Sequence, residues 1–266
     1  MASGYTATDG AAYERLMGRW SARLAEELIA FAGLEIGDRV IDVGCGTGSL
    51  AAALAARHEP ATIVGIDISG AYIAYASEHY VDRRLSFVVG DAMAMDLQVA
   101  AFDRAYSQLA LNFMSDPRRA LTGMCRVARP GGVVTAAVWD FPGGLVYQRI
   151  FWDTAAALDP AADDARARHY SSPLTRSGEL AHALADVGLR DVEAGSLTIR
   201  MDYADFADYW QPIANAQGPV GDYVKRLPAD RLAELRAAVH RAYLSGSPDG
   251  PRSMAASAWA ARGLVP

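Results

Sequence analysis

The sequence predicts an α/β fold in which a largely parallel sheet is covered by helices on both faces. Strand-like and helix-like segments alternate from residue 39 to residue 139, and the strand segments are nearly continuous apolar runs. The stretch VIDVGCGTGSL, residues 40–50, sets a glycine cluster at a strand-to-helix turn, where open α/β sheets receive ligands.

The elements follow in order. Tyr13, Leu16, Met17, Trp20, Leu24, Leu28 and Phe31 recur at helical spacing over residues 11–32. RVIDVG is a β-branched run that stops at glycine, a buried strand, and TGSLAAALAAR is the helix after it. ATIVGID is a second strand, and SGAYIAYASEHY a helix capped by Ser69. LSFVVGD and FDRAYS read as strands three and four. SDPRRALTGMCRVAR starts a helix at Ser115 or Asp116, with Pro117 tolerated in its first turn. PGG, residues 130–132, ends that helix, and VVTAAVW is the fifth strand.

Beyond Asp140 the rhythm changes. GLVYQRIFWDTAAAL reads as an apolar helix, and DPAADDARARHYSSP as a looser segment. SGELAHALADVG is a helix closed by Gly188. SLTIRMDY, residues 196–203, alternates as a strand does. Phe206, Tyr209, Trp210 and Ile213 lie on one helical face, and PADRLAELRAAVHRAYL is an amphipathic helix begun by Pro228. SMAASAWAARG reads as a final strand.

Composition removes several function classes. The chain has 266 residues and a net charge of −6, with no run of Lys and Arg, which argues against nucleic-acid or anionic-membrane binding. Lys225 is the sole lysine beside twenty-four arginines, so Schiff-base chemistry and a P-loop have almost nowhere to sit. Cys45 and Cys125 form no CxxC and join no Cys/His cluster, so no metal site is expected. A polar N-terminus and the absence of a membrane-length apolar run suggest a soluble, cytoplasmic protein. Nothing in the sequence sets an oligomeric state.

The glycine loop narrows the ligand. Its spacing is G-x-G-x-G, whereas a dinucleotide fingerprint needs G-x-G-x-x-G and a P-loop needs Gly-Lys-Ser/Thr. A nicotinamide oxidoreductase is disfavoured by that spacing and by the lack of a Tyr-x-x-x-Lys pair. Asp42 lies in the first strand, just before the loop. Asp67 closes the second strand, where an acid accepts both hydroxyls of a ribose. Asp91, in GDAM after strand three, is within reach of an adenine amino group. Three acids with no nearby base make a poor phosphate site and a good one for a cationic nucleoside.

With these residues in place, the sequence resembles the class I S-adenosylmethionine (SAM)-dependent methyltransferases of the type 11 branch, which includes quinone-biosynthesis enzymes. The resemblance covers roughly residues 36–140 and rests on VIDVGCGTG, GIDIS, GDAMAMDL, FDRAYSQLALNFMSDPRRAL and RVARPGG in the family's order. It implies a Rossmann-like, seven-stranded, mostly parallel sheet whose last strand is antiparallel, with helical insertions forming a lid. It further implies Gly44, Cys45, Gly46 and Gly48 beside the methionine moiety, Asp67 on the ribose and Ile68 under the adenine. Asp91 with Ala92 would lie near the adenine edge, and Gln108 with Leu109 near the transferred methyl. Gly123 stands where many relatives carry Glu, and Asn112 where many have His; the latter substitution bears on the substrate side.

A single domain is expected. Residues 1–35 would form a helical cap, 36–140 the SAM-binding core, 141–189 and 204–250 the lid and substrate segments, and 190–203 and 251–266 the last two strands. Tyr13 and Trp20 are the candidates for an aromatic roof over the sulfonium. His169 and Tyr170 are the candidates for a catalytic role, although the sequence shows no partner to orient His169.

The expected activity is methyl transfer to a small-molecule acceptor, at O, N or C, driven by proximity and leaving S-adenosyl-L-homocysteine (SAH). The alternative is a SAM-binding sensor or partner subunit without transferase activity.

Overall fold

The computed structural model describes residues 10–215 and 219–266. A helical segment opens the described chain: α1 (Gly10–Tyr13), a π-helical stretch (Glu14–Gly18) and α2 (Arg19–Ala32). Strands and helices then alternate as β1 (Arg39–Val43), α3 (Ser49–Ala55), β2 (Thr62–Asp67), α4 (Gly70–His79), β3 (Leu85–Val89), β4 (Phe102–Gln108), α5 (Pro117–Val127) and β5 (Ala128–Trp139). The remainder comprises α6 (Val146–Leu158), α7 (Pro160–Tyr170), α8 (Glu179–Asp186), β6 (Arg190–Tyr203), α9 (Phe206–Ala214), α10 (Pro219–Arg226), α11 (Ala229–Leu244) and β7 (Arg252–Leu264).

The seven strands form one sheet in the order β3-β2-β1-β4-β5-β7-β6. The first five are parallel, and β7 runs antiparallel between β5 and β6. The expected Rossmann-like α/β class and the antiparallel last strand are therefore present. Successive strand residues feed opposite faces. Val40 packs with Leu28, Leu50 and Leu54 under α2 and α3, while Ile41 packs with Leu121, Met124 and Leu184 under α5 and α8.

Strand order reverses between β1 and β4, so the crevice outside their carboxyl ends is open for a ligand. A third apolar cluster lies over this end. It is built from α2, α6, α9 and α11 with residues of β6 and β7, and contains Phe151, Trp152, Tyr209 and Trp210. The segments expected to form a lid supply most of its residues.

The helix starts follow capping chemistry. Ser69 Oγ accepts from Tyr72 N at 3.2 Å, and Asp116 Oδ1 accepts from Arg119 N at 3.0 Å with Pro117 in the first turn. Helix α7 departs from expectation, since the looser reading of DPAADDARARHYSSP gives way to a helix. Asp159 accepts from Ala161 N at 2.9 Å and Pro160 follows it, a complete start signal that the weak apolar stripe concealed. Gly123 is explained by packing, because a Cβ there would stand 2.7 Å from Met95 Cε.

Candidate active site

A cavity of about 590 Å³ opens at the carboxyl ends of β1, β2 and β4, within the size range of small-molecule sites. Its lining includes the sequence-predicted Tyr13, Asp42, Gly44, Cys45, Gly46, Asp67, Ile68, Asp91, Ala92, Gln108, Leu109 and His169. Gly48, Trp20 and Tyr170 are not part of it.

The loop glycines serve different ends. All three have positive φ: 75° at Gly44, 55° at Gly46 and 93° at Gly48. A Cβ on Gly44 would stand 2.4 Å from Ala110 Cβ, and one on Gly48 would meet Phe87 and Tyr80 at 3.0 and 3.1 Å. Those two positions are closed by the chain itself. Only at Gly46 is the approach open, with the nearest atom 4.0 Å away. Gly44 and Gly46 both line the cavity, and of the three glycines Gly46 alone has an open Cβ side, while Gly48 lies off the cavity as a turn and packing residue.

Asp67 is tied into the loop. Its Oδ2 accepts from Gly46 N at 3.0 Å and its Oδ1 from Ser69 N at 2.8 Å. Burial raises its pKa and the two backbone bonds oppose that. A carboxylate has about four lone-pair sites, so two remain for hydroxyl donors. Beside it Ile68 is 68% exposed, apolar surface left open at the cavity rim. Asp91 lines the cavity, and its Oδ1 accepts from Met93 N at 2.8 Å, capping the short turn that follows.

Asp42, between Gly65 and Tyr106 in the sheet, is fully buried, and neither carboxylate oxygen has a hydrogen-bond partner. Burial first, and the Asp67 charge second, push its pKa up to about 8; the Ala51 amide offsets this only slightly. The same burial, with both acids adjacent, pushes the Cys45 thiol up, which suits a packing role and not a nucleophile.

Gln108 donates Nε2–H to Ser21 O at 3.0 Å and leaves Oε1 buried without a partner. Leu109 sits at φ 60°, an uncommon conformation for a non-glycine residue, held by its N–H donating to Ala137 O at 2.8 Å. Asn112 is buried off the cavity, so the bearing on the substrate side expected of it is corrected.

The aromatic roof is also corrected. Tyr13 lines the cavity, with its ring 5.4 Å from that of Tyr72. Trp20 is 2% exposed and packs between Tyr203, 5.4 Å away, and the Arg19 guanidinium, 4.2 Å from its ring. The π-helical stretch between the two aromatics closes i→i+5 turns, so a seven-residue spacing no longer holds them on one face.

Of the catalytic candidates, His169 reaches the cavity and Tyr170 does not. Tyr170 is half-buried behind α6, its hydroxyl unpartnered. His169 Nε2 lies 2.8 Å from Gln148 Oε1, its ring is 4.2 Å from Phe141, and burial lowers its pKa to about 4. Gln148 and Tyr147, both on α6 and both lining the cavity, were missed from the sequence. The one available signal was a Tyr-Gln pair at the start of a largely apolar helix. Among the described residues no group of three or more His, Cys, Asp or Glu is placed to hold a metal, and no helix is long and apolar enough to cross a membrane.

Residues 41–136 match the family model described as a methyltransferase domain. The chain carries a class I methyltransferase domain. An O-methyltransferase of Pyrenophora dematioidea is 39% identical over 105 residues, 38% of this chain and 39% of that protein. The 27-O-demethylrifamycin SV methyltransferase of Amycolatopsis mediterranei is 33% identical over 134 residues, 47% and 48% of the two chains. The aligned stretch thus spans less than half the length of either relative. In structure, phosphoethanolamine N-methyltransferase 2 of Haemonchus contortus, in complex with phosphomonomethylethanolamine and SAH, superposes with a TM-score of 0.59 at 16% identity. That match covers 96% of this chain and 56% of the other, and it bears on the fold alone. In this methyltransferase domain the cavity stands at the strand ends where the fold class takes its ligands.

Proposed function

We propose that the protein transfers a methyl group from SAM to a small, uncharged, largely apolar acceptor. The observation that carries this reading is the distribution of charge around the cavity. Its lining holds Asp42, Asp67 and Asp91 at the glycine-loop end and no lysine, arginine or further acid among the described residues. One end is acidic, as a cationic nucleoside requires. The rest of the lining includes Phe113, Trp139, Phe141 and Tyr147 together with Ile213 and Val220.

The residues present fit SAM. Asp67 retains lone pairs for the ribose hydroxyls, the exposed Ile68 offers a surface for the adenine, Asp91 and Ala92 flank its edge, and the open side of Gly46 admits the amino-acid end. When bound, SAM supplies a methyl group on a positively charged sulfur with a neutral leaving group. The chain then has to align donor and acceptor and exclude water, which is worth roughly 7–11 kcal/mol in favourable cases. In this reading residues 10–35 cap the core 36–140, and the described parts of 141–189 and 204–250 roof the acceptor end, with residues 1–9 and 216–218 outside the described structure.

The relative named as an O-methyltransferase favours oxygen as the receiving atom. The Haemonchus structure holds an acceptor bearing a phosphate. A phosphate or carboxylate would meet no lysine or arginine among the described lining residues, at a desolvation cost of several kcal/mol.

Titration calorimetry with SAM, SAH and NAD tests the first half of the reading. Binding of both SAM and SAH without NAD supports it, and no binding of SAM overturns it. Incubation with methyl-labelled SAM and a matched panel of neutral and anionic acceptors tests the second half. Label transferred chiefly to anionic acceptors would overturn the uncharged-acceptor assignment.

A further inference from the structure

The acceptor end holds a polar chain with a fixed direction. Tyr147 Oη lies 3.5 Å from Met17 Sδ, Gln148 Nε2 lies 2.9 Å from Tyr147 Oη, and His169 Nε2 lies 2.8 Å from Gln148 Oε1. A thioether can only accept, so the Tyr147 hydroxyl proton points to Met17. The phenol oxygen then accepts from the Gln148 amide N–H, and the amide oxygen faces His169. An amide oxygen needs a donor, so His169 carries its proton on Nε2. Nδ1 is left with a free lone pair. It forms no hydrogen bond among the described residues and is not one of the sealed polar atoms of the interior.

Two aromatic rings pack near the imidazole. Phe141 lies 4.2 Å away and Trp152 lies 6.2 Å away, and His169 lines the cavity. The orienting partner that the sequence did not reveal is therefore Gln148, held in turn by Tyr147.

Resting on the methyl-transfer reading, we propose that His169 Nδ1 is the hydrogen-bond acceptor for a hydroxyl on a neutral, planar apolar methyl acceptor, with Gln148 and Tyr147 as positioning residues. An unpaired lone pair in a desolvated aromatic setting selects a donor and penalises an analogue that lacks one. A carboxylate or a methoxy group presents only acceptors to Nδ1 and is repelled or unpaired there. As the acceptor oxygen uses a lone pair to form its bond to the methyl carbon, the methyl–sulfur bond breaks with its pair retained by sulfur. The hydroxyl proton passes to Nδ1 and then to water, so the positive charge of the sulfonium ends on the departing proton.

The test is binding of 2-naphthol, 2-methoxynaphthalene and naphthalene to the SAH-saturated protein, followed by tryptophan fluorescence. The wild type is expected to bind 2-naphthol about tenfold more tightly than either analogue, the scale of one buried hydrogen bond. His169→Leu is expected to bind all three alike, with naphthalene affinity retained. A hydroxyl preference that is absent from the wild type, or that survives in His169→Leu, overturns the proposal.

Nitrogen NMR of the unmutated protein keeps the question open to test if that variant does not fold. The expected spectrum shows the Nε2–H tautomer of His169, with the Nδ1 resonance moving when 2-naphthol is added. A proton on Nδ1, or no movement, overturns the proposal. Failure of SAM to bind in parallel titrations would instead sink the methyl-transfer reading, and the naphthol preference is read independently of it.

Discussion

The backbone N–H of Gly46 donates to Asp67 Oδ2 at 3.0 Å, so the acid assigned to the ribose also holds the one loop glycine whose side is open to a ligand. Under the proposed reading, loop shape and nucleoside recognition form a single unit. Asp67→Ala removes both and is expected to weaken SAM binding by about 1.5–3 kcal/mol, the scale of a hydrogen bond to a charged group. Asp67→Asn keeps one carbonyl oxygen for the loop and is expected to lose less. Equal loss in both variants by calorimetry would show that the charge matters and the loop contact does not.

The three loop glycines are expected to fail in different ways. Gly46→Ala has room and incurs only the left-handed backbone cost of about 1–2 kcal/mol, so its fold survives while SAM binding falls sharply. Gly44→Ala must also displace Ala110, adding about 1–3 kcal/mol of overpacking, so it is expected to lose thermal stability first. Thermal melts run beside SAM titrations separate the two. A Gly46→Ala protein that binds SAM normally would show that the ligand does not approach at this glycine.

Asp42 is expected to make the ligand-free protein less stable as pH rises. Its folded pKa of about 8 lies above the ordinary 3.8, so between these values the native state keeps a proton that the unfolded chain has lost. Stability from this group is full below pH 3.8 and is lost as pH climbs through 8. Asp42→Asn removes that dependence and is expected to be more stable than wild type at pH 8 by roughly 1–3 kcal/mol, allowing for the buried amide it introduces. The advantage should shrink toward pH 4. A wild type as stable as the variant at pH 8 would mean that the carboxylate finds a partner in solution. A bound cation favours the ionised form, so SAM binding near pH 7 should release protons in wild type and not in Asp42→Asn.

The core sheet and the acidic end of the cavity were legible in the sequence because their signals are local. β1, β2, β3 and β5 are largely apolar runs ended by glycine or acid, and Asp67 and Asp91 close strands whose carboxyl ends must face the crevice. The lid was legible only in part. α7 lacks an apolar stripe, since just Ala162 and His169 of its residues are buried, and its evidence lay in the Asp159–Pro160 start. Trp20 was misplaced because a π-helical stretch changes the phase of a helix without any mark in residue spacing. The Met17–Tyr147 contact joins residues 130 positions apart, and no periodicity reports a pairing of that range.

The imidazole of His169 is expected to oppose Asp42 in its effect on stability. Burial lowers its pKa to about 4 from 6.5, and the groups packed on it (Phe141, Trp152, Tyr170 and Gln148) bear no charge at neutral pH. Between these values the unfolded chain binds a proton that the native state refuses, so stability from this group is full above pH 6.5 and is lost as pH falls through 4. Replacement by Leu should narrow the gap to wild type by roughly 1–3 kcal/mol on going from pH 7 to pH 4.5. Gln148→Glu places a carboxylate beside the ring and should raise the histidine pKa toward or above its ordinary value. Proton NMR of the ring follows both. Binding of 2-naphthol to wild type should hold down to about pH 5 and fail near pH 4, where Nδ1 takes a proton. In Gln148→Glu that loss should begin one or more pH units higher. A wild-type midpoint near 6.5 would mean that water reaches the imidazole and that the aromatic walls around it do not close.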